Sequence, residues 1–196
     1  MSLHKKLSIL VVEKSRERAM DIIDALAEGG WADVKVIADD TALMRVVEET
    51  NPDVVLIDLD NPRRDSLEAL SVVSGAKSRP VAMFVDQSNP DLIHAAVNAG
   101  LSAYVVGGLE RARIRPVLEA AIARFKMTAQ MRSELEAAKS ALAERKTIDR
   151  AKGLLIQAKG VTEEEAYQLL RKAAMDQGKR VNDVAKALIT ASKLLG

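Results

Sequence analysis

Five short apolar runs, each bounded by polar residues, recur through the first half of the chain: Leu7–Val12, Val34–Ala38, Val54–Leu59, Val81–Val85 and Ala103–Val106. Unbroken runs of this length suit strands covered on both faces. Between them the apolar positions switch to helical spacing. Arg18–Glu28 carries Ala19, Ile22, Ile23 and Leu26 on one face and stops at Gly29-Gly30. Thr41–Glu49 carries Leu43, Val46 and Val47. Leu67–Val73 and Leu92–Ala99 repeat the pattern, the latter ending at Gly100. Alternation of this kind predicts an α/β doubly wound, five-stranded parallel sheet with helices on both faces. Such sheets place functional groups at the carboxyl ends of their strands. Here those ends are Glu13, Lys14, Asp58, Asp60, Val85, Asp86 and Gly107.

From Pro116, which suits a first helical turn, strand signals cease and a long helix is predicted to about Ala158. Leu118, Ile122 and Phe125 form one seam. Thr128, Met131, Leu135, Ala138 and Leu142 continue it with a phase slip. A stripe of this length suits a coiled coil between two chains, with the slip as a stutter, or an intramolecular helical hairpin. Thr162-Glu163-Glu164-Glu165 then reads as a capping box, with acids at the positive end of the next helix. Ala166, Leu169, Leu170 and Ala173 give that helix its apolar face, and Gly178 ends it. A last helix, about Arg180–Leu194, buries Val181, Val184, Ala185, Leu188 and Ile189. Two short helices after the long one predict an all-α, three-helix head.

Composition narrows the chemistry. The 196 residues contain no cysteine, which excludes a disulfide framework, a thiolate zinc site and a cysteine nucleophile. His4 and His94 stand without a nucleophile or phosphate loop around them, so no enzyme is expected. No apolar run approaches the ~20 residues of a membrane span, and the N-terminus lacks a signal-peptide pattern, so a cytoplasmic protein is expected. The net charge of +1 conceals a division. Residues 1–125 hold 15 basic and 19 acidic residues, and the remainder 14 basic and 9 acidic. Positive charge gathered on the helical half is a prior for a polyanion partner.

The first half resembles the receiver domain of bacterial response regulators. Pro52-Asp53-Val54-Val55-Leu56-Ile57-Asp58 matches the strand ending in the phospho-accepting aspartate, and Pro62 matches the proline of the following loop. The resemblance implies two acids after the first strand to hold Mg²⁺, a Thr or Ser after the fourth, and a Lys after the fifth. At those positions stand Glu13 and Lys14, Val85, and Gly107. Only the acceptor and one candidate metal ligand survive, so no cofactor is expected. An acyl phosphate would lack two of its usual contacts. The expectation is a pseudo-receiver in which Lys14 neutralises Asp58; the alternative is a solvated strand-end carboxylate.

The second half resembles the ANTAR domain, an RNA-binding antitermination module. The residues that carry this are Glu144–Leu155 (ERKTIDRAKGLL), Glu164–Met175 (EEAYQLLRKAAM) and Val184-Ala185. The whole chain is similar to NasT-type regulators of nitrate/nitrite assimilation, through Asp60–Glu68, Arg79–Asp86 and Ser102–Leu109, and more distantly to AmiR-like regulators. The division implied is receiver 1–115, coiled-coil linker 116–144 and ANTAR head 145–196. The resemblance implies a leader transcript with paired stem-loops as ligand, a homodimer through the coiled coil, and a ligand-sensing regulatory protein as partner. Loops of RNA are read by stacking and phosphates by cations. Arg145, Lys152, Tyr167 and Arg171 are therefore the candidate contacts, with Lys146, Arg150 and Lys172 as phosphate neighbours. Tyr167, three positions before Leu170, fits the core equally well. A DNA-binding response regulator or a protein-only adaptor are the rival readings, and the three glutamates argue against entry of their helix into a DNA groove.

Overall fold

A computed structural model describes residues 7–38, 42–60, 62, 64–73 and 75–195. His4, the expected helix start at Thr41, and Asn61 and Arg63 of the Asp60–Glu68 motif lie outside them. The chain forms two compact units, residues 1–129 and 130–196.

In the first unit, β1 (Ser8–Val12), β2 (Asp33–Ile37), β3 (Val54–Leu59), β4 (Val81–Val85) and β5 (Ala103–Val106) form one parallel sheet in the order β2-β1-β3-β4-β5. The connecting helices are α1 (Arg16–Glu28), α2 (Leu43–Thr50), α3 (Arg64–Val73) and α4 (Pro90–Asn98). The expected doubly wound receiver architecture is therefore present. Strand alternation divides the core. Ile9, Val11, Val54, Leu56, Ala82 and Phe84 pack with Ile22 and Leu26 of α1 and with Ile114 and Leu118. Leu10, Val12, Val55, Ile57, Met83 and Val85 pack with Leu43, Leu67 and Ala96 on the other side. The same parity fixes the chemistry: Asp58 follows Val54 and Leu56, and Glu13 follows Ile9 and Val11, so both acids end up on the α1 side.

α5 (Arg111–Lys159) begins before Pro116, contrary to the expected start. Ile114 and Leu118 are fully buried against the sheet and hold this turn in place. A proline in the second turn removes one hydrogen bond where helix bonding has only begun. Farther along α5, Met131, Leu135 and Leu142 are 58%, 53% and 55% exposed. No helix among the described residues covers them, which speaks against the intramolecular hairpin.

In the second unit, α6 (Glu163–Asp176) and α7 (Val181–Leu195) join the end of α5. The capping box forms as expected: the Thr162 hydroxyl accepts from the Glu165 amide, and the Glu165 carboxylate accepts from the Thr162 amide at 2.8 Å. Ala151, Leu170 and Ala185 are the buried centre, surrounded by Ile148, Leu155, Val181, Val184, Leu188 and Ile189. Two alanines at the centre let the three helices approach closely. No helix among the described residues is long and apolar enough to cross a membrane.

Candidate functional site

The receiver pocket is built at the turn from β1 into α1. Ser15 caps α1, its hydroxyl accepting from the Arg18 amide, while its own amide donates to Glu13 Oε1 at 2.6 Å. This turn places Arg18 over the strand ends. Its guanidinium lies 2.8 Å from Asp60 Oδ1, 3.5 Å from Asp58 Oδ2 and 3.9 Å from Glu13 Oε1. The cation at Asp58 is thus Arg18, whereas the expected one, Lys14, is exposed and makes no ion pair there. A lysine directly after the strand follows the pleat to the opposite face, but an arginine one helical turn later reaches back across.

Asp58 is not the solvated carboxylate of the alternative reading either. It and Glu13 are each 4% exposed, and Asp58 Oδ1 and Glu13 Oε2 are buried without a hydrogen-bond partner. Burial first, then the hydrogen bond and charge of Glu13, push the Asp58 pKa up to about 7, with Arg18 pulling the other way. Asp58 relieves the repulsion of its buried neighbour by retaining its own proton.

The other receiver positions are equally specific. Val85 is fully buried in the core and offers no hydroxyl. Gly107 and Gly108 have φ of +96° and +76°, and both amides donate to the Val85 carbonyl at 2.9 Å. A Cβ at Gly108 would stand 2.8 Å from Asp86 Oδ1. The loop backbone therefore favours glycine where a phosphate-pairing lysine would be expected. Mg²⁺ does not fit this donor set. The facing carboxylates already share a guanidinium, Lys14 replaces the second acid, and no group of three His, Cys, Asp or Glu among the described residues is placed to hold a metal ion.

In the head, one groove between α5 and α6 collects Arg145, Lys152 and Tyr167 with Glu144, Asp149 and Glu163. Tyr167 is 39% exposed, so it is a groove residue and not core. Lys152 is only 15% exposed on its side chain, with Nζ 2.7 Å from both Asp149 Oδ1 and Glu163 Oε1. Those hydrogen bonds raise its pKa, and Lys152 in turn lowers that of Asp149. Arg145 lies 4.0 Å from the same aspartate. The groove's cations are largely compensated from within.

The other candidates lie elsewhere. Arg171 and Lys172 are exposed on α6 and line neither this groove nor its neighbour. Lys146 and Arg150 line a separate seam between α5 and α7, with Thr147, Lys186, Ile189 and Thr190. Helical spacing explains the division: Arg145, Asp149 and Lys152 fall on one side of the core residues Ile148, Ala151 and Leu155, with Lys146 and Arg150 on the other. Arg18 and Lys186 were missed by sequence reasoning. The signal for Arg18 was its place three residues after the capping Ser15; Lys186 had only its position beside the apolar face of α7.

The models for two families match the chain: the response regulator receiver domain over residues 9–119 and the ANTAR domain over residues 136–189. A relative, the transcriptional regulatory protein PdtaR of Mycobacterium tuberculosis, is 30% identical over 181 residues, covering 92% of this chain and 88% of the relative. The nitrate regulatory protein of Klebsiella oxytoca is 45% identical over 65 residues, which is 33% of this chain and 16% of that protein. The crystal structure of a response regulator from Thermotoga maritima aligns with 61% of this chain and 99% of its own length, at TM-score 0.53 and 19% identity, a likeness of fold.

Proposed function

The chain belongs to the response-regulator family, with a receiver domain followed by an ANTAR domain, and from this premise we propose that it is a transcription antitermination regulator that binds leader transcripts through its head. The observation that carries the reading is the groove between α5 and α6, which both the half-exposed Tyr167 and Arg145 line. A groove lined by an open aromatic ring and a guanidinium is suited to an unstacked base from an RNA loop. The three glutamates opening α6 weigh against duplex DNA, since they would face its phosphates. In an electrophoretic shift assay, an RNA of two stem-loops is retarded at low salt and duplex DNA of equal length is not. Equal retardation of both, at matched salt, would sink the reading.

The domain division proposed is receiver 1–115, connecting helix 116–144 and head 145–196. Two chains pair through the exposed Met131, Leu135 and Leu142 stripe of α5, giving two heads for two stem-loops. The likeness to the nitrate regulatory protein supports control of nitrate/nitrite assimilation genes, in the cytoplasm where transcripts emerge. Regulation comes from a ligand-sensing partner protein and not from aspartyl phosphorylation. Incubating the protein with acetyl phosphate and Mg²⁺ should leave its intact mass unchanged, because Arg18 fills the acid pocket and Val85 and Gly107 supply no phosphate contact. A stable phosphate adduct on Asp58 would show that phosphotransfer is retained.

A further inference from the structure

The seam between α5 and α7 differs electrically from the Tyr167 groove. Lys146, Arg150 and Lys186 come from two helices and line one concavity. All three are exposed, and none is paired with a carboxylate among the described residues. Asp149, next to Arg150, is committed to Lys152 and Arg145, Asp183, three residues before Lys186, to Arg180 at 3.5 Å, and Glu144 lines the other groove. In the other groove, by contrast, a phosphate would have to displace Asp149 and Glu163 from Lys152. Unpaired cations release condensed counterions when they meet a polyanion, whereas internally paired ones gain little.

The two hydroxyls of the seam add a second property. Thr147 Oγ1 donates to the Ala143 carbonyl and Thr190 Oγ1 to the Lys186 carbonyl, each at 2.9 Å. Each hydroxyl has therefore spent its proton within its own helix and keeps acceptor lone pairs. Such oxygens have nothing to offer a phosphate, which only accepts. They do suit a donor, and the donor that a nucleic-acid backbone carries is the ribose 2′-hydroxyl.

We propose that the α5–α7 seam grips the RNA backbone, with Lys146, Arg150 and Lys186 neutralising phosphates and Thr147 and Thr190 accepting from 2′-hydroxyls. This rests on the RNA-binding reading and assigns it a surface. The Tyr167 groove then receives a base, and the seam beside α7 supplies the sequence-independent grip and the preference for RNA over DNA. Lys186 is the cation that α7 brings to the seam.

The test uses the full chain and a fluorescein-labelled synthetic RNA of two hairpins joined by a single-stranded linker, followed by anisotropy over a salt series. Lys186→Ala should weaken binding roughly 3- to 10-fold at low salt and lower the salt slope by about 1, and Lys146→Ala/Arg150→Ala should lower the slope by about 2. Lys35→Ala, which removes a charge from β2 of the receiver, should leave both unchanged. Lys186→Gln removes the charge while keeping a long polar side chain and should lower the slope as Lys186→Ala does, and circular dichroism shows whether either variant alters the helices. Thr147→Val/Thr190→Val should keep the salt slope but bring the affinity ratio between the RNA and its all-deoxy counterpart toward 1. Wild-type binding with every variant unaltered in slope overturns the seam and leaves the RNA reading standing. No wild-type binding at low salt overturns both, and an unaltered RNA-to-deoxy ratio removes the threonines from the proposal.

Discussion

Asp58→Asn should stabilise the receiver unit at pH 8 and leave it nearly unchanged at pH 4. The folded protein holds the Asp58 proton to about pH 7, while the unfolded chain releases it near the ordinary value of 3.8. Between those values the folded state binds more protons, so stability falls as pH rises through that window and levels off above it. The cost at pH 8 is at most about 4 kcal/mol from the separation of the two values, and about 2 kcal/mol once local relaxation is allowed for. Asparagine has the same shape and never ionises, so it removes this penalty only where the penalty exists. Urea unfolding at pH 4 and pH 8 measures it directly. Equal shifts at both values, or none at pH 8, would refute retention of the Asp58 proton in the folded state. Arg18→Met is the opposite probe. Without the guanidinium that faces Glu13, Asp58 and Asp60, stability should fall more at pH 8 than at pH 5.

Under the α5 pairing proposed above, Leu135→Asp should convert a dimer of about 42 kDa to the 21.2 kDa monomer. Leu135 sits at the middle of the Met131, Leu135 and Leu142 stripe, and it is half-exposed in the single chain. A carboxylate there costs the monomer almost nothing. In a paired seam it would be buried without a partner, costing about 3 kcal/mol or more in each chain. Joined heads make the second hairpin contact intramolecular, so affinity for the two-hairpin RNA should fall by about 10²-fold or more. Affinity for a single hairpin should stay the same. Sedimentation equilibrium reads the mass and anisotropy the binding. A variant that remains dimeric, or a monomer with full two-hairpin affinity, would each contradict the pairing.

Much of this was legible in the residues. The five apolar runs became the five strands; burial on both faces leaves no room for polar alternation in the inner strands β1, β3 and β4, whereas the edge strand β2 exposes Asp33 and Lys35. Thr162 and Glu165 announced the start of α6, since a capping box needs only four consecutive residues. Asp58 could be placed at a strand end for the same local reason. The start of α5 was less legible, because Pro116 carries a strong local signal that packing of Ile114 and Leu118 overrides.

Charge pairing was not legible at all, and it decides the sites. Arg18 and Asp60 are 42 positions apart, and Lys152 and Glu163 belong to different helices. Whether Lys14 or Arg18 faces Asp58 depends on reach and direction from a folded turn, not on residue type. The same holds for the head, where Lys152 is consumed by two carboxylates and Lys186 is left open. The sequence by itself determined the strands, the caps, the two-domain order and the loss of the usual receiver residues, because each is written in neighbouring positions. Only the tertiary structure decided that Asp58 is buried against Glu13 under Arg18, that Tyr167 lies open, and which cations remain free. Those outcomes depend on side chains from distant elements meeting across a packed core, where distances of a few ångströms choose the partner.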